Sequence, residues 1–249
     1  MGFPSFLAFF LVSHLLVLHS TGSCPSSFDC GTLGPIEFPF TNSTHSLCGL
    51  YTVSCDEAVP KVTLGAEGRS YQVTGFSSTG NTIKINDPLL RTLIEYKSCN
   101  FSSYINPLNT LSVSFTVSPN LTIFKCLASS PELENQTDNY FVGDYIYYRG
   151  CRGYTVYYSY PNQQVDRVPA SESIPPNCVF FQLPVVSSVE DRNLSDPFSL
   201  LTSGFSVGYH VSEECQACLA GGGRCSRDTR EFRCLKDKGG TGISIYKRI

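Results

Sequence analysis

Few residues in this 249-residue sequence are of types and spacings that could do covalent or acid–base chemistry, and each has a plainer reading. Gly204-Phe-Ser206-Val-Gly208 matches the G-x-S-x-G pattern that presents a serine nucleophile on a sharp strand-to-helix turn. Such a serine needs an acid and then a histidine further along the chain. His210, four residues on, is the only histidine after Ser206, and no alternation of strands and helices surrounds the motif, so the match reads as accidental. Beyond the first twenty residues only His45 and His210 are histidines, which leaves little material for proton transfer near neutral pH. The neighbouring acids Glu190-Asp191 and Glu213-Glu214 carry the groups of a glycosidase, but adjacent loop carboxylates are usually just solvated. Cys215-x-x-Cys218, Cys225 and Cys234 have the thiolate count of a tetrahedral zinc site, against which stands a disulfide reading favoured in an oxidising compartment. Phosphate-cradling glycine loops and kinase signatures are absent from the sequence. The expectation is a chain that is not an enzyme and that holds neither metal nor cofactor.

Binding chemistry has more to work with. Lys61, Arg69, Lys84 and Arg91 could pair with the carboxylates of an acidic polysaccharide, the plainer reading of each being a solubilising charge. Eight of the fourteen tyrosines fall between Tyr140 and Tyr160, where flat rings with polar tips suit sugar or peptide contact but equally suit strand packing. The absence of Trp weakens the sugar-stacking case. A net charge of −3 removes the global basic field of a nucleic-acid binder. From Arg224 to Ile249 eight Lys or Arg face three acids, which reads as an exposed, solvated tail.

The compartment follows from three features. Residues 1–22 are expected to be a secretory signal peptide, apolar from about Phe3 to Leu18 and ending in small residues before Cys24. All twelve cysteines come after it, at Cys24, Cys30, Cys48, Cys55, Cys99, Cys126, Cys151, Cys178, Cys215, Cys218, Cys225 and Cys234. An even number in a secreted chain reads as six disulfides, although about ten thousand pairings are open. Asn42, Asn100, Asn120, Asn135 and Asn193 each head an Asn-x-Ser/Thr sequon and so mark expected glycosylated, solvent-facing positions. No second apolar run of membrane-spanning length follows, so the mature chain is expected to be soluble.

The elements that must position these residues are mostly strands. Leu111-Ser-Val113-Ser-Phe115-Thr-Val117 alternates apolar and hydroxyl residues, as a half-buried antiparallel strand requires. Tyr51–Cys55, Tyr71–Val73, Thr82–Ile85 and Leu121–Phe124 are similar short runs between turn residues, and only Pro88–Tyr96 has helical spacing. A strand pair is expected around the Gly150-Cys151-Arg152-Gly153 turn, and another strand at Val179–Leu183. Six cysteines lie on each side of residue 135, and residues 128–139 are polar, acidic and contain Pro131. The sequence therefore predicts a mainly β protein of two small disulfide-stapled modules. The first covers residues 23–127, a linker 128–139, and the second 140–236, ending in a loop-rich Cys/Gly knot before a tail at 237–249.

Specific stretches carry a family resemblance. Cys24, Cys30-Gly31, Ile36-Glu-Phe38-Pro39-Phe40, Cys48-Gly49, Cys55, the Tyr71-x-Val73 run and Cys99 resemble the galacturonan-binding domain of plant wall-associated receptor kinases and the related leaf-rust-resistance receptor-like kinases. Gly204-Phe205, Cys215-x-x-Cys218, Gly221-Gly222-Gly223-x-Cys225 and Phe232-x-Cys234 resemble the cysteine-rich domain associated with it. Together they cover residues 24–235. The chain departs from the family in having Gly208-Tyr209 where a Trp is frequent, and Cys234 alone where a Cys-x-Cys is expected. The membrane helix and kinase of such receptors are absent from these residues. The resemblance thus implies the ligand-sensing half, either of a soluble receptor-like protein or of a truncated gene product, and the tail after Cys234 favours the second. It further implies an extracellular place at the cell wall or outer face of the plasma membrane, and binding of acidic pectic galacturonan; an acidic module surface adds the variant of calcium bridging between its acids and pectate. The tyrosine strands motivate the alternative of a peptide or membrane co-receptor partner without sugar.

Overall fold

Alternating residues become strands almost wherever the sequence allows. The computed structural model describes residues 24–64, 69–77, 79–101, 109–128, 130–143, 145–159, 174–188, 192–228, 230–238 and 242–246. The expected signal peptide, Tyr160 and Glu190-Asp191 lie outside them. The first half comprises β1 (Ser27–Asp29), β2 (Pro35–Glu37), β3 (Phe40–Asn42), β4 (Tyr51–Ser54), β5 (Lys61–Thr63), β6 (Ser70–Ser77), β7 (Thr82–Asn86), helix α1 (Pro88–Glu95), β8 (Val113–Val117) and β9 (Asn120–Leu127). There follow α2 (Pro131–Phe141), β10 (Ile146–Cys151), β11 (Tyr154–Tyr158), β12 (Cys178–Pro184), α3 (Pro197–Leu200), β13 (Gly204–Val211), α4 (Glu213–Ala220), β14 (Arg224–Cys225), β15 (Cys234–Lys238) and β16 (Gly242–Tyr246). The protein is mainly β and stapled by six disulfides, as the sequence predicts.

The two-module division does not hold. The main sheet has the order β3-β4-β5-β6-β7-β13-β8, so a strand from residues 204–211 is inserted between two from the first half. Val207 pairs with Ile83 on one side and Val117 on the other, and all three belong to one cluster, into which a free-standing first module would have to admit water. Cys99–Cys151 and Cys126–Cys178 both cross residue 135, whereas Cys24–Cys48, Cys30–Cys55, Cys215–Cys225 and Cys218–Cys234 are local. The four knot cysteines are buried in the same cluster as Phe28, Ile36 and Phe40, so the knot covers the inner face of the main sheet. Two halves of equal cysteine count are interleaved because a one-sided sheet must bury its apolar face against something.

The linker is also a structured element. Residues 131–141 form α2, capped by the Ser130 hydroxyl accepting from the Leu133 amide at 3.3 Å, started by Pro131 and carrying Glu132 and Glu134 in its first turn. Its acidic composition, read as a solvated linker, serves the helix dipole instead. Phe141 at its end stacks on Tyr157 with ring centroids 4.3 Å apart and covers one face of the second sheet, ordered β10-β11-β9-β12. The opposite face of that sheet packs Ile123, Val156 and Tyr158 against Leu90 and Leu93 of α1 and Phe198 of α3. The segment after Cys234 is likewise patterned: β15 pairs with β14 and with β16, which reaches Tyr246.

The helix expected at Pro88–Tyr96 is present, and Asp87 explains where it starts. Its carboxylate accepts from the Leu89 and Leu90 amides and pairs with Arg69 at 2.9 Å while being 1% exposed. Nearby, burial pushes the Tyr71 phenol up to about 12, with Arg69 pulling the other way. An unfolded phenol titrates near 10, so Tyr71 holds its proton more tightly when folded, and stability complete below pH 10 declines as pH climbs through 12. Replacing Tyr71 with Phe should flatten that decline in brief pH-jump denaturation curves; an unchanged slope would discount the phenol. Glycine is required in the knot, where a Cβ on Gly223 would sit 2.5 Å from the Cys234 sulfur and 2.7 Å from the Cys218 sulfur.

Candidate functional site: the outward face of the main sheet

Period-two alternation sends one set of side chains from each main-sheet strand into the core and the other to solvent. Tyr51, Val53, Val62, Tyr71, Val73, Ile83, Ile85, Val113 and Val207 are buried. Their neighbours Thr52, Ser54, Lys61, Thr63, Ser70, Gln72, Thr74, Thr82, Lys84, Asn86, Ser114, Thr116, Ser206 and His210 are half-buried or exposed. The registers set them in rows. Ser54, Lys61, Gln72 and Asn86 lie side by side, with the Asn86 amide donating to the Gln72 side chain at 3.0 Å. Lys84 is flanked by Gly75 and Ser206, and Thr82 by Ser77 and Gly208. Gly208 is needed there because a Cβ would meet the Thr116 hydroxyl at 2.8 Å. None of these fourteen outward positions is a carboxylate, in a chain with 21 acids.

Two of the four singled-out cations belong to this face. Lys61 pairs with Glu57 at its edge, and Lys84 is exposed near its centre without an ion pair among the described residues. Their backbones are roughly 12 Å apart, two strands across and two residues along. Arg69 is not available to a ligand in the same way, since it holds buried Asp87 and lies against the Tyr71 ring at 5.5 Å. Arg91 is exposed on α1, whose buried Leu90 and Leu93 face the second core, so it stands apart from the row. The hydroxyls and amides were missed as site residues; their signal was the polar half of the alternation itself.

Ser206 sits mid-strand in β13, opposite Lys84, with no strand-to-helix turn beneath it. His210 shares its face but lies four residues along, roughly 13 Å away, opposite Ser114. That distance rules out proton transfer between them. Glu213 and Glu214 occupy the first turn of α4, where their charges meet the helix dipole. The four knot thiols are consumed in Cys215–Cys225 and Cys218–Cys234, which removes the zinc ligands the sequence offered. Beside Ser206 the face runs into an open cleft of about 300 Å³ lined by Ser118, Pro119, Val185, Ser187, Thr202 and Gly204.

The tyrosine cluster is divided rather than gathered. Tyr157 and Tyr158 are buried on opposite faces of the second sheet, Tyr157 donating to Asp138 and Tyr158 to the Leu194 carbonyl at 2.8 Å. Burial, then the Asp138 contact, raises the Tyr157 phenol well above its ordinary range. Tyr145 packs edge-on against Phe124 and Phe141. Tyr147 and Tyr154 remain exposed on opposite faces, Tyr147 under Arg149 and Tyr154 under Lys125, so they form no common platform. Of the sequon asparagines, Asn100, Asn120, Asn135 and Asn193 are exposed and Asn42 is half-buried, capping a 3-10 turn by accepting from the His45 amide.

Residues 150–239 match the family described as Wall-associated receptor kinase C-terminal. That span begins at the end of β10 and includes β13 and the knot. Over 236 residues the chain is 27% identical to leaf rust 10 disease-resistance locus receptor-like protein kinase-like 1.1 of Arabidopsis thaliana, covering 92% of this chain and 32% of the relative. The chain thus spans about a third of that relative's length. No solved structure matches it. Among the described residues no helix is long and apolar enough to cross a membrane. The departures from the family are absorbed locally: Tyr209 packs edge-on against Phe40 at 5.2 Å, and Cys234 is paired with Cys218. Residues 150–239 thus match the wall-associated receptor kinase C-terminal family, and over most of its length the chain is similar to the part of a leaf-rust-type receptor-like kinase that it spans.

Proposed function

We propose that this chain senses acidic cell-wall polysaccharide, the galacturonan of pectin, outside the cell as the ligand-binding part of a receptor-like protein. The observation that carries the reading is the carboxylate-free outward face of the main sheet with Lys61 and Lys84 on it. A polymer bearing one carboxylate per sugar meets the Lys84 ammonium there without an opposing acid and competes with Glu57 for Lys61, and its hydroxyls meet Ser, Thr and amide side chains. The six disulfides suit an oxidising extracellular compartment. The test is retention of the secreted protein on immobilised polygalacturonate. At about 10 mM salt, where charges reach about 30 Å, the protein should be held, and at about 1 M salt it should be released. Passage without retardation at the lower salt would sink the reading, and adding a chelator would reveal any calcium bridge.

A protein-contact reading rests on a separate surface. Tyr154 and Leu127 are paired across β11 and β9 with both side chains exposed, and Val179 is exposed on the adjoining β12. Tyr154→Ser and Val179→Ser should then reduce capture of a protein partner without changing polygalacturonate retention. Tyr145 and Tyr157 are unsuitable probes because they are packed.

A further inference from the structure

We infer that the acidic glycan lies across the strands of the main sheet, on a surface completed by β13, so that the binding site belongs to neither half of the chain alone. The inference rests on the polysaccharide reading above and assigns it a place. Six strands, β4 to β7 with β13 and β8, present the face, and at about 4.8 Å per strand it is roughly 24 Å wide. That width takes several pyranose rings in line.

The chemistry of the face selects the ligand. Its outward side chains are hydroxyls, amides, two lysines and His210, with no Phe, Tyr or Trp ring among them, because the main-sheet rings of Tyr51, Tyr71 and Phe115 are turned inward. A neutral sugar recognised by stacking its apolar face on aromatics would find only the His210 imidazole on these strands and Phe205 in the adjoining cleft. A hydroxylated polymer with carboxylates finds donors, acceptors and cations. Lys84 is the central cation, and its cross-strand neighbour Ser206 comes from β13, within the family-matched stretch. Beyond Ser206 the open cleft continues the face towards Ser187 and Thr202.

The sequons point the same way. Asn42, Asn100, Asn120, Asn135 and Asn193 all fall outside β4, β5, β6, β7, β13 and β8. Glycans on all five asparagines would therefore leave every strand of this face unsubstituted. Asn42 adjoins the face at its edge, on β3 beside β4, and Asn120 lies beside Ser118 and Pro119 of the cleft.

The test uses the secreted, glycosylated full chain on immobilised polygalacturonate and on a methyl-esterified preparation of it. Lys84→Glu and Ser206→Glu should each weaken retention about tenfold, a change of about 1.4 kcal/mol, while Arg152→Glu on the second sheet should bind as the unaltered protein does. His210→Glu is a second β13 variant, exposed enough to tolerate a charge should Ser206→Glu misfold, with folding checked by non-reducing mobility and thermal unfolding. Esterification should abolish retention. If the unaltered protein is not held at low salt, the polysaccharide reading itself fails. If it is held but Lys84→Glu and the folded β13 variants bind undiminished, or Arg152→Glu alone loses binding, this face is overturned and the reading survives. Equal retention by the esterified polymer would overturn the carboxylate basis.

Discussion

Residues 24–127 expressed alone will not reach a native state, whereas the chain carrying residues 24–249 will. The fragment contains a plausible module by composition, yet it lacks β13, which supplies the pairing partner of both β7 and β8. It also lacks the knot whose cysteines bury against Phe28, Ile36 and Phe40. Two thiols, Cys99 and Cys126, lose their partners Cys151 and Cys178. Thiol titration should find them reactive, and thermal unfolding should show no cooperative transition. Native near-ultraviolet dichroism with a sharp transition from the fragment would restore the two-module picture. A milder version keeps the chain whole: replacing Cys99 and Cys151 by Ser opens a bridge across a separation of 52 residues, which should cost about 4 kcal/mol in the chain-entropy account. A chain nicked within residues 128–130 should remain one species on a non-reducing gel and part on reduction.

Asp87→Ala should destabilise the protein by about 4 kcal/mol, lowering the melting temperature by roughly 10 °C. One side chain serves two structures there. It satisfies the first amides of α1, and it is the buried partner of Arg69, so its removal takes both the helix cap and the buried half of an ion pair with a poorly exposed guanidinium. The Asp87 amide in turn donates to the Ser203 carbonyl at 2.8 Å, tying the start of α1 to the approach of β13. Asp87→Asn keeps a good helix cap while removing the charge and should lose distinctly less, which separates the two contributions. Arg69→Ala should lower stability while leaving the salt-dependence of polygalacturonate retention as it was, because Arg69 serves the fold. A stable Arg69→Ala protein that no longer bound the polymer would return Arg69 to the binding site.

Much of the local structure was legible because local structure depends on near neighbours. The hydroxyl alternation at residues 111–117 becomes β8, the Gly150–Gly153 turn joins β10 to β11, and the spacing at Pro88–Tyr96 becomes α1. Misreadings arose where composition stood in for context. The acidic run at 131–139 resembled a linker because the sequence does not show that Phe141 has Tyr157 and Phe124 to pack on. The tyrosines resembled a platform because alternation along β11 says nothing of α2 on one side and α3 on the other. The four cations formed a list because charge type cannot separate Arg69, held by a buried acid, from Lys84, facing water.

The sequence by itself determined that this is a β-rich, multiply disulfide-bonded chain with the marks of a receptor-like ectodomain, since residue type, period and cysteine content are local or additive properties. Only the tertiary structure decided which cysteines pair, that β13 enters the first-half sheet, and that scattered Ser, Thr, Asn and Lys residues share one carboxylate-free face. Those are consequences of long-range strand order, and strand order is chosen by which apolar faces can cover one another, a property no single stretch of the chain contains.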